Sequence, residues 1–489
     1  MEQRLHPFQD VTQSALDLEN ASNDIVHSTM SVFLMVVASL AVGKMFDMIY
    51  LPPLLGALLV GIAVRNVPAL FSVVYVNDYW EFMLRKITLV NIIIRWGLSV
   101  DVNFIRQNLV FSSVLGITSA TFEAIVISLL AIFLYDMSPG MAIIAGFLLA
   151  TVSPAITGPV MAKLRAMKIG CEKKITYFVP AASCFDNIFS IFVFSLTSSL
   201  VFTRGLLLPA LISTIGAIVL GAMVGLFLGF VMTWFPRNDS SHTQFARIFL
   251  LGSVSHGVIL SMVVLGYAFP GIVCTLIFCI IAGTKWRNDN QKKIDVVAHS
   301  YDVLWKCVSS PILFMLVGYK FNLDNLSWYE LKMTLTLVIV GAFVRFFTAM
   351  ALAACGNFRI SEQFVLALSL VPKATVQCAL GPSLLLSAQK FPEYAENIKV
   401  IIYACVVSVI ITAPLVEILL SYLAPKLLRH DVCHTLYLDP SVGYAPAKSI
   451  DEAPGDGNVT FTQFRSIYVP QLTSPGTVYP RNGVNGTYR

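Results

Sequence analysis

Four ionisable residues stand out because they lie within long apolar segments of the sequence: Glu123, Asp186, Arg345 and Lys373. An ionised side chain at the centre of a bilayer costs about 3 kcal/mol on insertion scales, so such residues are usually paired and functional. Asp186 and Lys373 could bind a cation and a proton in competition. Sodium displaces the proton of a carboxylate, and the amine can neutralise that carboxylate or release its own proton. This chemistry indicates proton-for-cation exchange, and a purely structural ion pair is the alternative.

Glu123 and Arg345 occupy equivalent places in the two halves of the chain, each in the segment just before an interrupted apolar segment. Their opposite charges predict a buried ion pair that bridges the halves, either to lock them together or to gate them. Ser153, Thr157 and Asn187 add uncharged oxygens of the kind that a hard cation prefers, as do Thr375 and Gln377. We therefore expect a sodium or proton site at Asp186, formed by Asp186, Asn187, Thr157, Ser153 and Lys373.

Two apolar segments contain helix breakers in their middles, at residues 151–159 (TVSPAITGP) and 371–382 (VPKATVQCALGP). In lipid such breaks are tolerated where protein or a water-filled cavity satisfies the freed backbone groups. The breaks are seven segments apart, so the two elements run in opposite directions, which is typical of an inverted repeat. Matched broken helices indicate an ion site near the membrane midplane, although proline and glycine can also merely kink packed helices.

The composition indicates a membrane protein, since 56% of the 489 residues are hydrophobic and 12% are charged, against about 25% charged in soluble proteins. About thirteen apolar segments are long enough to cross a bilayer. We predict an all-α polytopic protein with inverted repeats and two crossed broken helices. Its predicted parts are a polar N-terminal segment at 1–28, a transmembrane domain at 29–428 and a disordered cytoplasmic tail at 429–489.

The basic residues fall in short loops, with clusters at 163–174 and 285–293 that should be cytoplasmic. With thirteen passes the C-terminal tail is then inside and the N-terminus outside, and the plasma membrane is the default location. Arg85 is expected to snorkel from the third segment. The net charge of +5 is modest, and the sequence shows no basic, aromatic-rich face of the kind that binds nucleic acid. No catalytic constellation or metal cluster is visible in the segments, so neither an enzyme nor a cofactor is predicted.

Short strings in the sequence carry a resemblance to a known family. They are PLLG at 53–56, RNVP at 65–68, VSPA at 152–155, SCFDNI at 183–188, PKATVQ at 372–377 and ITAP at 411–414. With them the chain resembles the animal NHA branch of the cation/proton antiporter superfamily. The resemblance implies a homodimer, with a scaffold domain and a mobile domain, that exchanges sodium or lithium for protons without an organic cofactor. It also implies that Glu123 pairs with Arg345 and that Asp186 and Lys373 flank the ion.

One position departs from the family pattern, which is typically two adjacent aspartates where this chain has Asp186 followed by Asn187. The missing carboxylate would compensate the charge of the bound cation. Three outcomes stay open: one-for-one exchange at Asp186 alone, a proton-linked anion transporter for an ion such as chloride, or a transport-silent partner protein. A sodium-coupled symporter of a small organic anion is a further alternative. Expected partners are monovalent cations, protons, membrane lipids and a second copy of the chain.

Overall fold

The computed structural model describes residues 6–49, 51–170, 173–203, 207–236, 242–324 and 326–428, with side chains from residue 23 onward except those of residues 386 and 388. The regular secondary structure of these residues is helical. The polar residues from His6 to Ser28 form one helix with the first apolar segment, and the predicted tail at 429–489 lies outside the described residues. The domain limits therefore stay predictions.

The helices are, in chain order, α1 His6–Met48, α2 Pro53–Asn66, α3 Asp78–Ser99, α4 Leu109–Tyr135, α5a Pro139–Ala150, α5b Pro154–Ala166, α6 Ile175–Val201, α7 Leu207–Trp234, α8 Thr243–Val264, α9 Ala268–Asp289, α10 Gln291–Tyr319, α11 Trp328–Ala354, α12a Ile360–Ser369, α12b Thr375–Leu380 and α13 Ala395–Leu427. π-helical turns interrupt α4 at Val114–Thr118 and α10 at Trp305–Ser309. Short helices at Pro68–Phe71, Val102–Gln107 and Leu385–Lys390 connect longer ones, as do 3₁₀ turns at Gly381–Leu384 and Pro392–Tyr394.

Ten helices in the described part of the chain are long and apolar enough to cross a membrane, when α5a and α5b are taken as one. α2 and α12a are shorter apolar helices, and α3 carries several charged residues along its length. The predicted all-α, multi-pass membrane fold is confirmed. The number of thirteen passes stays a prediction.

The helices pack in two groups. The first group is α1, α2, α3, α7, α8, α9 and α10, and the second group is α4, α5, α6, α11, α12 and α13. The groups meet mainly where α6 packs on α7, and also where α12b packs on α3 and α10 and where α13 packs on α2. Both interrupted helices belong to the second group, so the predicted site residues are collected there.

Two glycines allow α2 and α10 to pack with their backbones in contact. A Cβ atom at Gly61 would lie 2.0 Å from the carbonyl oxygen of Met315, and one at Gly318 would lie 2.1 Å from that of Leu58. Atoms at these distances overlap, so any larger residue would separate the two helices. Small residues at helix contacts are the usual way to pack helices closely in a membrane.

The two predicted interruptions are present in α5 and α12. The chain leaves the helix after Ala150 and re-enters it at Pro154, with Ser153 in an extended conformation at φ −103° and ψ 104°. A proline disfavours helical backbone in the preceding residue and is well suited to the first turn of a new helix. In α12 the chain leaves the helix after Ser369 and re-enters it at Thr375, with Pro372 between.

Candidate functional site

The two interruptions touch each other directly. The backbone N–H of Ser153 donates to the carbonyl of Pro372 at 2.8 Å, and the Ser153 and Thr375 hydroxyls lie 3.4 Å apart. The Gln377 amide donates to the carbonyl and the hydroxyl of Thr151 at 2.8 and 2.9 Å. Each break therefore satisfies part of the backbone that the other break leaves unpaired, as buried irregular backbone in a membrane requires.

The contacting residues stand at matched positions of the two halves. Ser153 and Thr375 are 222 positions apart in the sequence, and so are Glu123 and Arg345. The same distance along the sequence thus separates the two interruptions and the two charged residues that precede them, which supports the internal repeat predicted from the sequence. The two halves therefore meet at corresponding residues.

Glu123, Asp186, Arg345 and Lys373 form one chain of charges in the second group, which we call the quartet. Lys373 Nζ donates to Glu123 at 2.8 Å, the Arg345 guanidinium hydrogen-bonds Asp186, and Arg345 Nη1 lies 3.7 Å from Glu123. All four residues are at most 3% exposed. The quartet contains two acids and two bases, so burial leaves no uncompensated charge.

Each base also binds the C-terminal end of a half-helix at its interruption. Lys373 Nζ donates to the carbonyl of Ala150, the last residue of α5a, at 2.8 Å. Arg345 Nε donates to the carbonyl of Leu370, directly after α12a, at 3.1 Å. Cations at helix C-termini satisfy the free carbonyls there and complement the helix dipole. The two bases thus hold the broken helices as well as the acids.

The structure brings the four predicted charged residues together but exchanges their closest partners. The sequence predicted Glu123 with Arg345 and Asp186 with Lys373. In the structure Lys373 hydrogen-bonds Glu123 and Arg345 hydrogen-bonds Asp186, while Glu123 and Arg345 make the longer contact. The backbone N–H of Lys373 is held by the Thr412 hydroxyl at 2.8 Å, and the lysine side chain extends to the end of α5a, where Glu123 is also within reach.

Asn187 is buried beside the quartet, and neither of its side-chain polar atoms has a hydrogen-bond partner among the described residues. A buried amide without a partner costs about 1–3 kcal/mol, so such groups usually satisfy a ligand, a water or an ion. Asp186 next to it accepts a hydrogen bond from Ser190 at 3.3 Å. Thr157 is buried on α5b, and Ser153 lies at the crossing of the interruptions. Oxygens of this kind suit a hard cation, but no hydrogen bond among the described residues joins Ser153, Thr157 or Asn187 to Asp186. The predicted grouping of these residues around one cation therefore stays a prediction.

The π-helical turn of α4 packs directly on α6 at Asp186. A Cβ atom at Gly116 would lie 2.3 Å from the carbonyl oxygen of Ala182 and 3.1 Å from the backbone nitrogen of Asp186. Only glycine allows this close approach. Neither Gly116 nor Thr412 was predicted from the sequence to be a site residue. For Thr412 the available signal was a hydroxyl two residues before Pro414 in an apolar helix.

Arg85 was expected to snorkel, and this expectation is wrong. Its side chain is 6% exposed and hydrogen-bonds Glu81 on the same helix. It also donates to the carbonyls of Leu316 at 2.9 Å and of Cys378 at 3.3 Å. Since Cys378 belongs to α12b, Arg85 connects the first group to the interrupted helix of the second group.

Comparisons with known proteins agree with the resemblance. The profile of the family described as "Sodium/hydrogen exchanger, transmembrane" matches residues 33–421. Sodium/hydrogen exchanger 9B1 of Homo sapiens is 31% identical over 420 residues, which cover 84% of this chain and 79% of the relative. Sodium/hydrogen exchanger 9B2 of Mus musculus is 28% identical over 409 residues, 81% of this chain and 73% of the relative.

A solved structure shares the fold at low sequence identity. The sodium proton antiporter MjNhaP1 from Methanocaldococcus jannaschii, solved at pH 8, superposes with a TM-score of 0.64 at 16% identity over 83% of this chain and 99% of the antiporter. At this identity the likeness shows the fold alone. The family match and the curated relatives extend over most of the chain, and the chain therefore belongs to the sodium/hydrogen exchanger family.

Proposed function

We propose that the chain exchanges sodium or lithium for protons across a membrane by alternating access. The observation that carries the proposal is the buried quartet at the crossing of the two interrupted helices, in which Arg345 bonds Asp186. Asn187, the next residue on α6, has a buried amide with no hydrogen-bond partner among the described residues. Free carbonyls and polar side chains at such crossings bind coupling ions in transporters. The relatives named as sodium/hydrogen exchangers support the same activity.

In this proposal the cation competes for a carboxylate that is already engaged. Sodium at Asp186 would loosen the hydrogen bond from Arg345, which has Glu123 as a second acid 3.7 Å away. Asn187, Thr157 and Ser153 supply neutral oxygens to the ion. The proton leaves either the Asp186 carboxyl or Lys373, because one added positive charge favours the loss of another in a buried site. The chain acts as a transporter and makes or breaks no covalent bond of a substrate.

The first group would be the scaffold and the second group the mobile, ion-carrying domain of a homodimer. The two groups meet at α6 on α7, α12b on α3 and α10, and α13 on α2, and these contacts would rearrange as one group moves against the other. We place the homodimer in the plasma membrane.

The test is proton flux in proteoliposomes with the purified protein, while sodium, lithium, potassium or chloride is added one at a time. We expect sodium or lithium to drive proton efflux and Asp186→Asn to abolish it. Asn187→Asp should raise the apparent affinity for sodium by about tenfold or more, which corresponds to about 1.4 kcal/mol, because it adds a carboxylate that has no arginine bonded to it.

Asp302→Asn is the matched control, since it removes an aspartate that pairs with Arg95 in the first group, away from the quartet, and should leave exchange active. Activity of the Asp186→Asn protein would overturn the mechanism. A response to chloride alone would indicate the anion-linked transporter, and no response to any of the four ions would indicate a transport-silent partner protein.

A further inference from the structure

A cavity of about 180 Å³ lies between α1, α2 and α10, apart from the quartet. Its polar lining residues are Ser39, Lys44, Asp47, Lys306 and Ser310. Its apolar walls include Leu40, Leu54 and Ala57. None of the predicted site residues lines it, so the exchange proposed above gives this cavity no role.

The cavity lies at the level of one membrane surface. α1 ends at Met48 and α2 begins at Pro53, so the chain turns back into the membrane beside the cavity. α10 begins with the polar stretch from Gln291 to Asp302 and becomes apolar from Pro311 onward. The same end of α10 adjoins the basic cluster at 285–293, which the positive-inside rule places in the cytoplasm. The cavity therefore faces the cytoplasmic leaflet.

Irregular helix geometry forms the cavity. Lys306 lies on the π-helical turn Trp305–Ser309 of α10, and Pro311 follows at once. On the opposite wall a Cβ atom at Gly43 would lie 3.1 Å from the carbonyl oxygen of Pro53, so α1 and α2 are held close below the opening. π-helical turns are rare and occur often at functional sites.

The charges in the cavity suit an anion. Two lysines face one aspartate there, and Lys44 Nζ is 3.4 Å from Asp47 with 69% of its side chain exposed. A water occupies roughly 30 Å³ in the liquid, so the cavity has room for a phosphate group and its oxygens. The amines and hydroxyls can bind the phosphate of a phospholipid, and the apolar walls next to them can contact the start of its acyl chains. Basic pockets between helices on the cytoplasmic side are a recurrent site for anionic headgroups.

We propose that this cavity binds the phosphate of an anionic phospholipid of the cytoplasmic leaflet, with Lys44 and Lys306 as cationic ligands and the Ser39 and Ser310 hydroxyls as donors. Charge-assisted hydrogen bonds from lysine to phosphate are stronger than neutral ones. The bound lipid would connect α1 to α10 within the first group. Its effect is therefore a more stable first group, independent of the ion that the second group carries.

The experiment measures thermal unfolding of the full-length protein in nanodiscs of phosphatidylcholine, with and without added phosphatidylglycerol. The wild-type midpoint should rise by several degrees with the anionic lipid, because a ligand that binds the folded state alone stabilises it. Lys44→Ala/Lys306→Ala should lose that rise. Lys44→Arg/Lys306→Arg should keep it, since the charge is retained. Lys285→Ala/Lys292→Ala, which removes two cytoplasmic lysines outside the cavity, should also keep it.

Three results would overturn the proposal: an equal rise in the alanine double variant, no rise in the wild type, or an equal rise when inorganic phosphate is added to phosphatidylcholine nanodiscs. The last result would identify a site for soluble anions. If the double alanine variant does not fold, the exposed single variant Lys44→Gln takes its place and should show a reduced rise. Thermal unfolding does not measure ion flux, so this proposal and the proposed exchange activity can fail independently of each other.

Discussion

At the scale of single residues, the quartet couples the two halves of the chain through charge. Arg345 contacts both acids and Lys373 contacts Glu123, so no member can be removed without leaving a buried charge short of a partner. Breaking a buried pair from one side typically costs 3–5 kcal/mol, whereas replacing both partners by apolar groups can be neutral. The quartet is thus a structural element of the crossing as well as the proposed ion site.

This coupling predicts non-additive stability changes. Glu123→Gln should destabilise the protein by about 3 kcal/mol because Lys373 loses its carboxylate. The double variant Glu123→Gln/Lys373→Met should be more stable than the sum of the two single variants by at least about 1 kcal/mol. Denaturation in detergent, followed by tryptophan fluorescence, measures the cycle.

Glu330 and Lys399 provide the control pair, at 2.7 Å but with 33% of the lysine side chain exposed. Pairs that water reaches are worth about 0–1 kcal/mol, so the single variants at Glu330 and Lys399 should have small effects. Additive changes at Glu123 and Lys373 would contradict the coupling.

The charged members of the site could be predicted because an ionisable residue within an apolar segment is visible in the sequence itself. Their pairing could not, because it depends on where each side chain ends in space. The Thr412 hydroxyl, on a different helix, accepts a hydrogen bond from the backbone N–H of Lys373. The carbonyl of Ala150 accepts a hydrogen bond from the Lys373 side chain. Neither contact leaves a trace in the spacing of residues, and the same is true of the amide of Asn187, which lacks a partner in the described residues.

At the scale of helices, α3 and α12b are joined by the contact of Arg85 with the Cys378 carbonyl. Glu81 holds Arg85 and also pairs with Lys320, just beyond α10, at 2.8 Å. One guanidinium thus connects three helices from both groups. If one group moves against the other during exchange, this contact must break.

Arg85→Gln should therefore loosen α12b. A hydrogen bond from a charged donor contributes about 1.5–3 kcal/mol, so we expect amide hydrogen exchange in Thr375–Leu380 to become faster by roughly tenfold or more. Hydrogen exchange followed by mass spectrometry reports this region directly. Arg95→Gln, whose partner Asp302 lies within the first group, should leave the exchange of α12b unchanged. Equal protection in the Arg85→Gln protein would show that the contact does not hold α12b.

The helices and both interruptions could be predicted from apolar runs and from Pro154 and Pro372, since these residues act on the local backbone. The π-helical turns could not, because the sequences VLGIT and WKCVS carry no signal that separates them from ordinary helix. The burial of Arg85 was also missed. A lysine or arginine near a helix end snorkels or pairs according to its neighbours in space.

At the scale of the whole molecule, the direction of each half follows from the number of passes. Two breaks that lie seven segments apart run in opposite directions, which requires an odd count between them. If the chain makes the thirteen passes predicted from the sequence, the two termini lie on opposite sides of the membrane. The basic clusters at 163–174 and 285–293 predict that the C-terminal side lies in the cytoplasm.

Epitope tags at the two ends test this arrangement. In intact cells an antibody should reach a tag fused before Met1, and a tag fused after Arg489 should become accessible only after permeabilisation. Tags inserted at 285–293 serve as the control for the cytoplasmic side. Two termini on the same side would mean an even number of passes and would overturn the count of thirteen.

The balance of charge in the quartet has a consequence for membrane voltage. Two acids and two bases sum to zero when all four are ionised. If the exchange is one-for-one, a sodium ion that replaces one proton leaves the total charge of the loaded site unchanged. A charge that crosses the full field gains or loses about 2.3 kcal/mol per 100 mV, but this energy is the same for the two loaded forms and cancels over one cycle. The membrane potential would then alter how fast the carrier turns over, and the sodium gradient it sustains would depend on the pH difference alone.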